Sequence, residues 1–160
     1  MYKRQDESGL IDLLAEQTRD GGCVLIITNT VDRAQSLFKA ISEKFPDEVI
    51  LVHSRFTAKE RSAKERRLLG ALGREATLEN GRRPHRLFVI GTQVVEQSLD
   101  IDADLLVTDI APMDLLMQRA GRLHRHEEHF LGRPEPLQEP RILIRGIWDV
   151  DTDSLSLIHI

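Results

Sequence analysis

The sequence predicts an α/β domain, a doubly wound, mostly parallel sheet with helices on both faces. Three observations carry this. Short apolar runs at residues 23–28 (CVLIIT), 48–53 (EVILVH), 87–92 (LFVIGT), 105–110 (LLVTDI) and 141–147 (RILIRGI) are rich in β-branched residues. Near-continuous apolar runs are what strands covered on both faces require. Segments of helical periodicity separate most of them, and the links are short, so successive elements pack as neighbours.

Taken in order, residues 8–19 carry Leu10, Ile11, Leu13, Leu14 and Ala15 and read as a helix stopped by Gly21-Gly22. After the first strand, Asn29 is expected to cap the next helix, with Asp32 three residues on. There Val31, Ala34, Leu37, Phe38, Ile41 and Phe45 make one apolar face, and Pro46 follows it. Past the second strand, Thr57 and Glu60 have capping-box spacing for a helix to about residue 69. Residues 70–86 break the pattern with Gly73, Gly81, Pro84 and Arg82-Arg83, and read as a surface loop. The strand at 87–92 leads into a polar loop with Gln93, Glu96, Gln97, Ser98 and Asp100. After the strand at 105–110, Pro112 suits a helix start, and Leu116, Ala120 and Leu123 give one apolar stripe. That helix is expected to carry Gln118, Arg119, Arg122 and Arg125, with Gly121 admitting a close neighbour. Residues 132–140 hold three prolines and read as an extended connector.

Composition bounds the function. The chain has 160 residues, 41% hydrophobic and 30% charged, enough for one domain with a real core. A net charge of −4 means that nucleic-acid binding cannot rest on overall positive charge, so phosphate contacts must be local. The single cysteine, Cys23, heads an apolar run and reads as a core thiol, which excludes a disulfide framework. No apolar run approaches the ~20 residues that cross a bilayer. No secretory signal is legible, so a reducing cytoplasm and no membrane partner are expected.

Arginines recurring every third residue behind a fixed-length loop that ends in an aspartate suit a phosphate ligand, because guanidinium matches phosphate oxygens bidentately. The words themselves resemble a family. Residues 92–100 (TQVVEQSLD) resemble motif V of superfamily two helicases, and residues 118–125 (QRAGRLHR) resemble their motif VI. The stretch VVEQSLDID, then DLLVTDIAPMDLLMQRAGRLHRH, is most similar to the helicase–nuclease of type I CRISPR–Cas systems. The resemblance spans most of residues 23–147 as the second of two RecA-like motor domains.

It implies roles residue by residue. Arg122 and Arg125 match the arginines that reach the γ-phosphate of ATP across the domain cleft. Asp100 matches the acid facing the ribose, and Gln118 the first motif VI position. Arg119 belongs to the nucleotide side, more as a tie to neighbouring acidic groups than as a contact. Thr92, at a motif position, is the best-supported contact to single-stranded DNA. Gln93, Asn29 and Arg55 are further candidates at strand ends, where hydroxyls, amides and helix N-termini can hold a phosphate backbone without reading bases. Phe56 can simply pack. Implied partners are the first RecA-like domain, which would hold most of the Mg2+ site, a nuclease domain, and the CRISPR surveillance complex.

Two metal readings fail. Asp100, Asp102 and Asp104 resemble the start of a calcium loop, but Leu105 stands where the turn glycine belongs. His124, His126 and His129 lack a zinc-site spacing. No G-x-x-x-x-G-K-[ST] loop and no His-Asp pair is present. Half an ATP site and half a DNA track are therefore expected within residues 6–154. Residues 1–5 and 155–160 can be encoded by near reverse-complementary DNA, as a shared adapter would produce, and are left out of the expected domain. Competing readings are a motor of another superfamily two helicase, acting on DNA or RNA, and a non-catalytic α/β binding module.

Overall fold

A computed structural model describes residues 3–95, 99–146 and 156–159. The expected loop residues Glu96, Gln97 and Ser98, and Ile147 at the end of the expected last strand, lie outside the described residues. The order is α1 (Lys3–Gln17), β1 (Gly22–Ile27), α2 (Val31–Lys44), β2 (Val49–Val52), α3 (Ala58–Leu72), β3 (Arg86–Gly91), β4 (Leu105–Asp109), α4 (Met113–Ala120), β5 (Arg141–Arg145) and β6 (Ser156–His159). The sheet runs β2-β3-β1-β4-β5-β6. Pairings from β2 to β5 are parallel, and β6 joins β5 antiparallel. The expected α/β class and mostly parallel sheet are observed.

Strand side chains alternate between two cores. Val24, Ile26, Phe88, Ile90 and Val107 face Leu10 and Leu14 of α1 and Ala34, Leu37 and Ile41 of α2. Leu25, Ile27, Val89 and Leu106 face Leu68 and Leu72 of α3, with Leu116 and Ala120 of α4 packed against the same cluster. Both layers are apolar, so the strands carry no polar alternation. Truncating one of these enclosed leucines, such as Leu37, costs ~2–5 kcal/mol.

Local chemistry shifts several boundaries. Thr57 and Glu60 form the expected capping box, with the Thr57 amide donating to Glu60 at 2.9 Å. Thr30, not Asn29, caps α2, because its hydroxyl accepts from the Arg33 amide at 3.3 Å. That leaves the Asn29 amide group for Ile110 O, 2.8 Å away. The helix α3 continues to Leu72, so Gly70 lies inside it, and the loop that follows is not wholly a solvated one: Arg83 is buried. The connector at 132–140 contains a short 3-10 turn, Glu135–Leu137, that buries Leu137 beneath Gly22.

The largest departure concerns the arginine row. Helix α4 stops at Ala120, so Arg122 and Arg125 lie past it rather than on it. A backbone bridge replaces the helix there. Ala103 N donates to Arg122 O at 2.8 Å, and His124 N donates to Ala103 O at 3.0 Å. An extended partner competes with the next helical turn for these groups and wins, because it also satisfies the loop before β4. The bridge carries His124 into the left-handed region at φ 48°, a conformation that costs ~1–2 kcal/mol outside glycine. The carboxyl-terminal residues 156–159, left out of the expected domain, pair along β5, whose edge presents unpaired N–H and C=O groups to any extended segment.

Candidate nucleotide and nucleic-acid site

The expected site residues form two groups at different places on the sheet. Because β2, β3 and β1 are adjacent and parallel, their carboxyl ends make one continuous row. It carries Arg55, Thr92 with Gln93, and Asn29, in that spatial order. Asp100, Arg122 and Arg125 gather elsewhere, beside the loop that enters the amino end of β4 and over the α3/α4 layer. The length of β4, ~17 Å for five extended residues, separates the two groups.

At the row, Gly91 ends β3, and a Cβ there would run into the Val95 side chain and come within 3.0 Å of Val52 O. The missing side chain lets the chain turn sharply at Thr92 into the 3-10 turn Gln93–Val95. Thr92 is only 3% exposed, while Gln93 is exposed. Arg55 is exposed and pairs with Asp32 at 2.8 Å, a contact that solvent screens. Beside it, the buried His53 ring stacks on Phe56 with centroids 4.1 Å apart, and Lys64 Nζ lies 4.4 Å from the Phe56 centroid. Burial pulls the His53 pKa below the ordinary histidine value, with the Arg55 and Lys64 charges adding to it.

In the second group, the loop before β4 is zipped to the segment after α4. Arg125 Nε lies 2.5 Å from Asp100 Oδ1, and Arg125 Nη1 donates to Gly121 O at 3.1 Å. The Arg125 hydrogen bond holds the Asp100 carboxyl below the usual carboxylate range. Arg122 is half-buried, and burial plus the neighbouring Arg125 cation pull its pKa below arginine's ordinary value. Guanidinium groups match phosphate oxygens bidentately. The residues present thus fit a phosphate. Gln118 is exposed on α4.

Arg119 differs from its neighbours, being fully enclosed. Its Nη1 donates to Thr108 Oγ1 at 2.6 Å and to Asp109 O at 3.0 Å, and its Nη2 to Asn29 Oδ1 at 3.4 Å. It thereby ties α4 to the ends of β4 and β1, and the backbone amide of Asn29 is held by Asp109 Oδ2 at 2.9 Å. Expected on the nucleotide side more as a tie than as a contact, Arg119 has no exposed surface to offer a nucleotide. Gly121 ends α4 with φ −64°, where a Cβ would lie 3.4 Å from Gln118 O of the same helix.

Sequence reasoning missed the layer beneath. Asp102 and Asp104, almost fully enclosed, face Arg83 and Arg133, also enclosed. Arg83 Nη2 donates to Asp104 Oδ1 at 2.9 Å and Arg133 Nη2 to Asp102 Oδ2 at 2.7 Å; Arg133 Nη1 also donates to Asp104 Oδ1. His129 Nδ1 lies 2.5 Å from Asp102 Oδ2. The legible signal was the run Asp100-Ile-Asp-Ala-Asp104 leading into a buried strand, since acids so placed need cationic partners. Nothing in the sequence points to Arg83 and Arg133 as those partners.

Known proteins place this geometry. A family model, "CRISPR-associated nuclease/helicase Cas3, C-terminal", matches residues 20–128. The chain belongs to the Cas3 C-terminal family. The CRISPR-associated nuclease/helicase Cas3 of Streptococcus thermophilus is 45% identical over 147 residues, which cover 91% of this chain and 15% of that protein. The crystal structure of T. fusca Cas3-AMPPNP superposes with a TM-score of 0.77 at 38% identity, covering 86% of this chain and 16% of that one. A chain of a CRISPR RNA-guided surveillance complex, pre-nicking, gives 0.72 at 37% identity, covering 88% and 17%. This chain thus spans about a sixth of the Cas3 proteins it matches, and what it forms is their RecA-like C-terminal motor fold.

Proposed function

We propose that this Cas3-family domain is the second motor domain of an ATP-dependent, single-stranded-DNA translocase and helicase of CRISPR antiviral defence. The observation that carries the reading is the arginine pair. Arg122 and Arg125 are held past α4 by backbone pairing to the loop before β4, with the Arg125 side chain 40% exposed. The relatives' AMPPNP and surveillance-complex structures support a nucleotide and that complex as partners here. ATP with Mg2+, bound mainly by a first RecA-like domain, would supply the phosphoryl chemistry.

The chain's own residues then have separate tasks. Arg122 and Arg125 present positive charge to a phosphate arriving from a facing domain. Asp100, the partner of Arg125 here, orients that guanidinium and faces the sugar side. Gln118 senses the nucleotide from the exposed side of α4. Gln93, Asn29 and Arg55 line the strand-end row against a DNA backbone, with Thr92 shaping it from beneath. Arg119 links the two groups from inside. A nuclease domain elsewhere in the whole protein would cut the strand that the motor feeds.

Arginine fingers are worth ~10³-fold or more in phosphoryl-transfer rate. Replacing Arg122 or Arg125 with alanine in the intact nuclease/helicase should therefore lower DNA-stimulated ATP hydrolysis on that scale. DNA binding measured without nucleotide should hold. The isolated 160-residue chain, which carries no phosphate-cradling loop, should turn over no ATP. Unchanged hydrolysis in both arginine variants, or turnover by the isolated chain, would overturn the proposal.

A further inference from the structure

We propose that Asp102 is a positioning residue for Arg125, clamping the backbone from which that side chain projects. The inference rests on the reading of Arg125 as a phosphate-facing cation. Asp102 is fully enclosed, and its two oxygens do different work. Oδ1 accepts from the backbone N–H of Arg125 at 2.7 Å. Oδ2 accepts from Arg133 Nη2 at 2.7 Å and lies 2.5 Å from His129 Nδ1, which is itself 3.1 Å from Arg83 Nη1. The Asp102 backbone is anchored as well, its N–H to Leu72 O at 2.9 Å and its carbonyl accepting from Arg83 Nη1 at 3.2 Å.

The carboxylate is thus held from behind by the segment carrying His129 and Arg133, its backbone by Leu72 and Arg83, and its other oxygen fixes one amide. That amide belongs to Arg125, directly after the left-handed His124. A strained residue followed by a clamped one gives the Arg125 Cα a single direction. The guanidinium itself is 40% exposed beside Asp100, in a pairing that solvent screens. His129 and Arg133 lie past residue 128, where the family match ends, so the clamp reaches beyond the matched segment.

Asparagine at 102 separates positioning from packing. It keeps the shape, but its amide oxygen will turn to the charged Arg133 guanidinium. Its NH2 group then faces the Arg125 N–H, donor against donor, and the clamp is lost. In the intact nuclease/helicase, Asp102→Asn should lower kcat for DNA-stimulated ATP hydrolysis by about 10²-fold, the scale of a misplaced reacting group, with KM for ATP unchanged. In an Arg125→Ala background the same substitution should lower kcat no further, because the side chain it positions is gone. His129→Leu, which removes the ring behind Oδ2 together with its 3.1 Å contact to Arg83 Nη1, should show a smaller loss with the same dependence on Arg125. It decides the matter if the asparagine variant fails to fold. A kcat loss that persists undiminished in the Arg125→Ala background, or no loss in either variant, overturns the positioning role while leaving the arginine reading intact. An Arg125→Ala protein with normal kcat overturns both.

Discussion

Two ion-pair systems lie within five residues of each other and behave as opposites. Asp100 and Arg125 meet at 2.5 Å with 57% and 40% of their side chains exposed. Asp102 and Asp104 meet Arg83 and Arg133 with every partner at most 5% exposed. The residue types are the same, and burial alone separates their roles. An enclosed charge cannot fall back on water, so its partners become framework. A solvated pair is exchangeable, and its guanidinium can leave one anion for another. The contrast teaches how one loop both fixes a site and leaves its working cation available.

The sharpest way to break this contrast is to remove one buried cation. Arg133→Ala leaves Asp102 and Asp104 short of a partner inside the fold. Breaking a buried pair in this manner costs ~3–5 kcal/mol, read as a drop in the urea midpoint. A loss no larger than that of an exposed arginine such as Arg55→Ala would mean that the enclosed cluster is no framework at all.

The Cys23 thiol sharpens the same comparison without removing a charge. The Cys23 amide donates to Asp104 Oδ2 at 2.7 Å, so the thiol sits beside the buried cluster. Burial pushes its pKa up to about 12. Only a thiolate reacts, so labelling of the native chain at pH 8 should be slow and limited by opening of the fold. Arg133→Ala should accelerate it strongly, and Asp100→Asn hardly at all. Equal labelling rates in the two variants would erase the distinction.

The strand runs were legible because burial on both faces writes itself as uninterrupted apolar sequence, and the Thr57–Glu60 box because its chemistry is local. The arginines were legible as a motif but misplaced on a helix. Periodicity sees the repeat of three and cannot see that Ala103 competes for the Arg122 carbonyl. Asn29 and Thr30 are both good caps, and the choice was made by distant Ile110 and Asp109, which claim Asn29. Arg83 read as loop charge because its partners stand 19 and 21 residues away. Long-range pairing between charges leaves no periodic trace, so the layer that holds the site was the least visible part of it.

Acid should probe His124 and His53 next. Burial lowers the pKa of His124, with the Arg133 charge adding to it, and burial lowers that of His53. Both groups bind a proton more readily unfolded, at about pH 6.5, than folded. Stability should therefore be complete above that pH and fall as pH drops from it toward the folded values. Urea midpoints measured from pH 8 to pH 5 check this, and a midpoint that rises in acid would contradict it.

The smallest expected effect belongs to Asp100, and it closes the comparison from the exposed side. Its carboxyl is held below the usual range by the Arg125 hydrogen bond. A depressed folded pKa contributes stability above the unfolded value of about 3.9 and loses it as pH falls through the folded value. At pH 7 the contribution is fully present, yet solvent screens the pair, so Asp100→Asn should cost at most about 1 kcal/mol. As pH falls through the folded Asp100 pKa the wild-type carboxyl protonates too, and the two unfolding curves should converge. A loss of several kcal/mol at pH 7 would put Asp100 in the framework with Asp102, and Arg125 would then be bound too firmly to be lent to a phosphate.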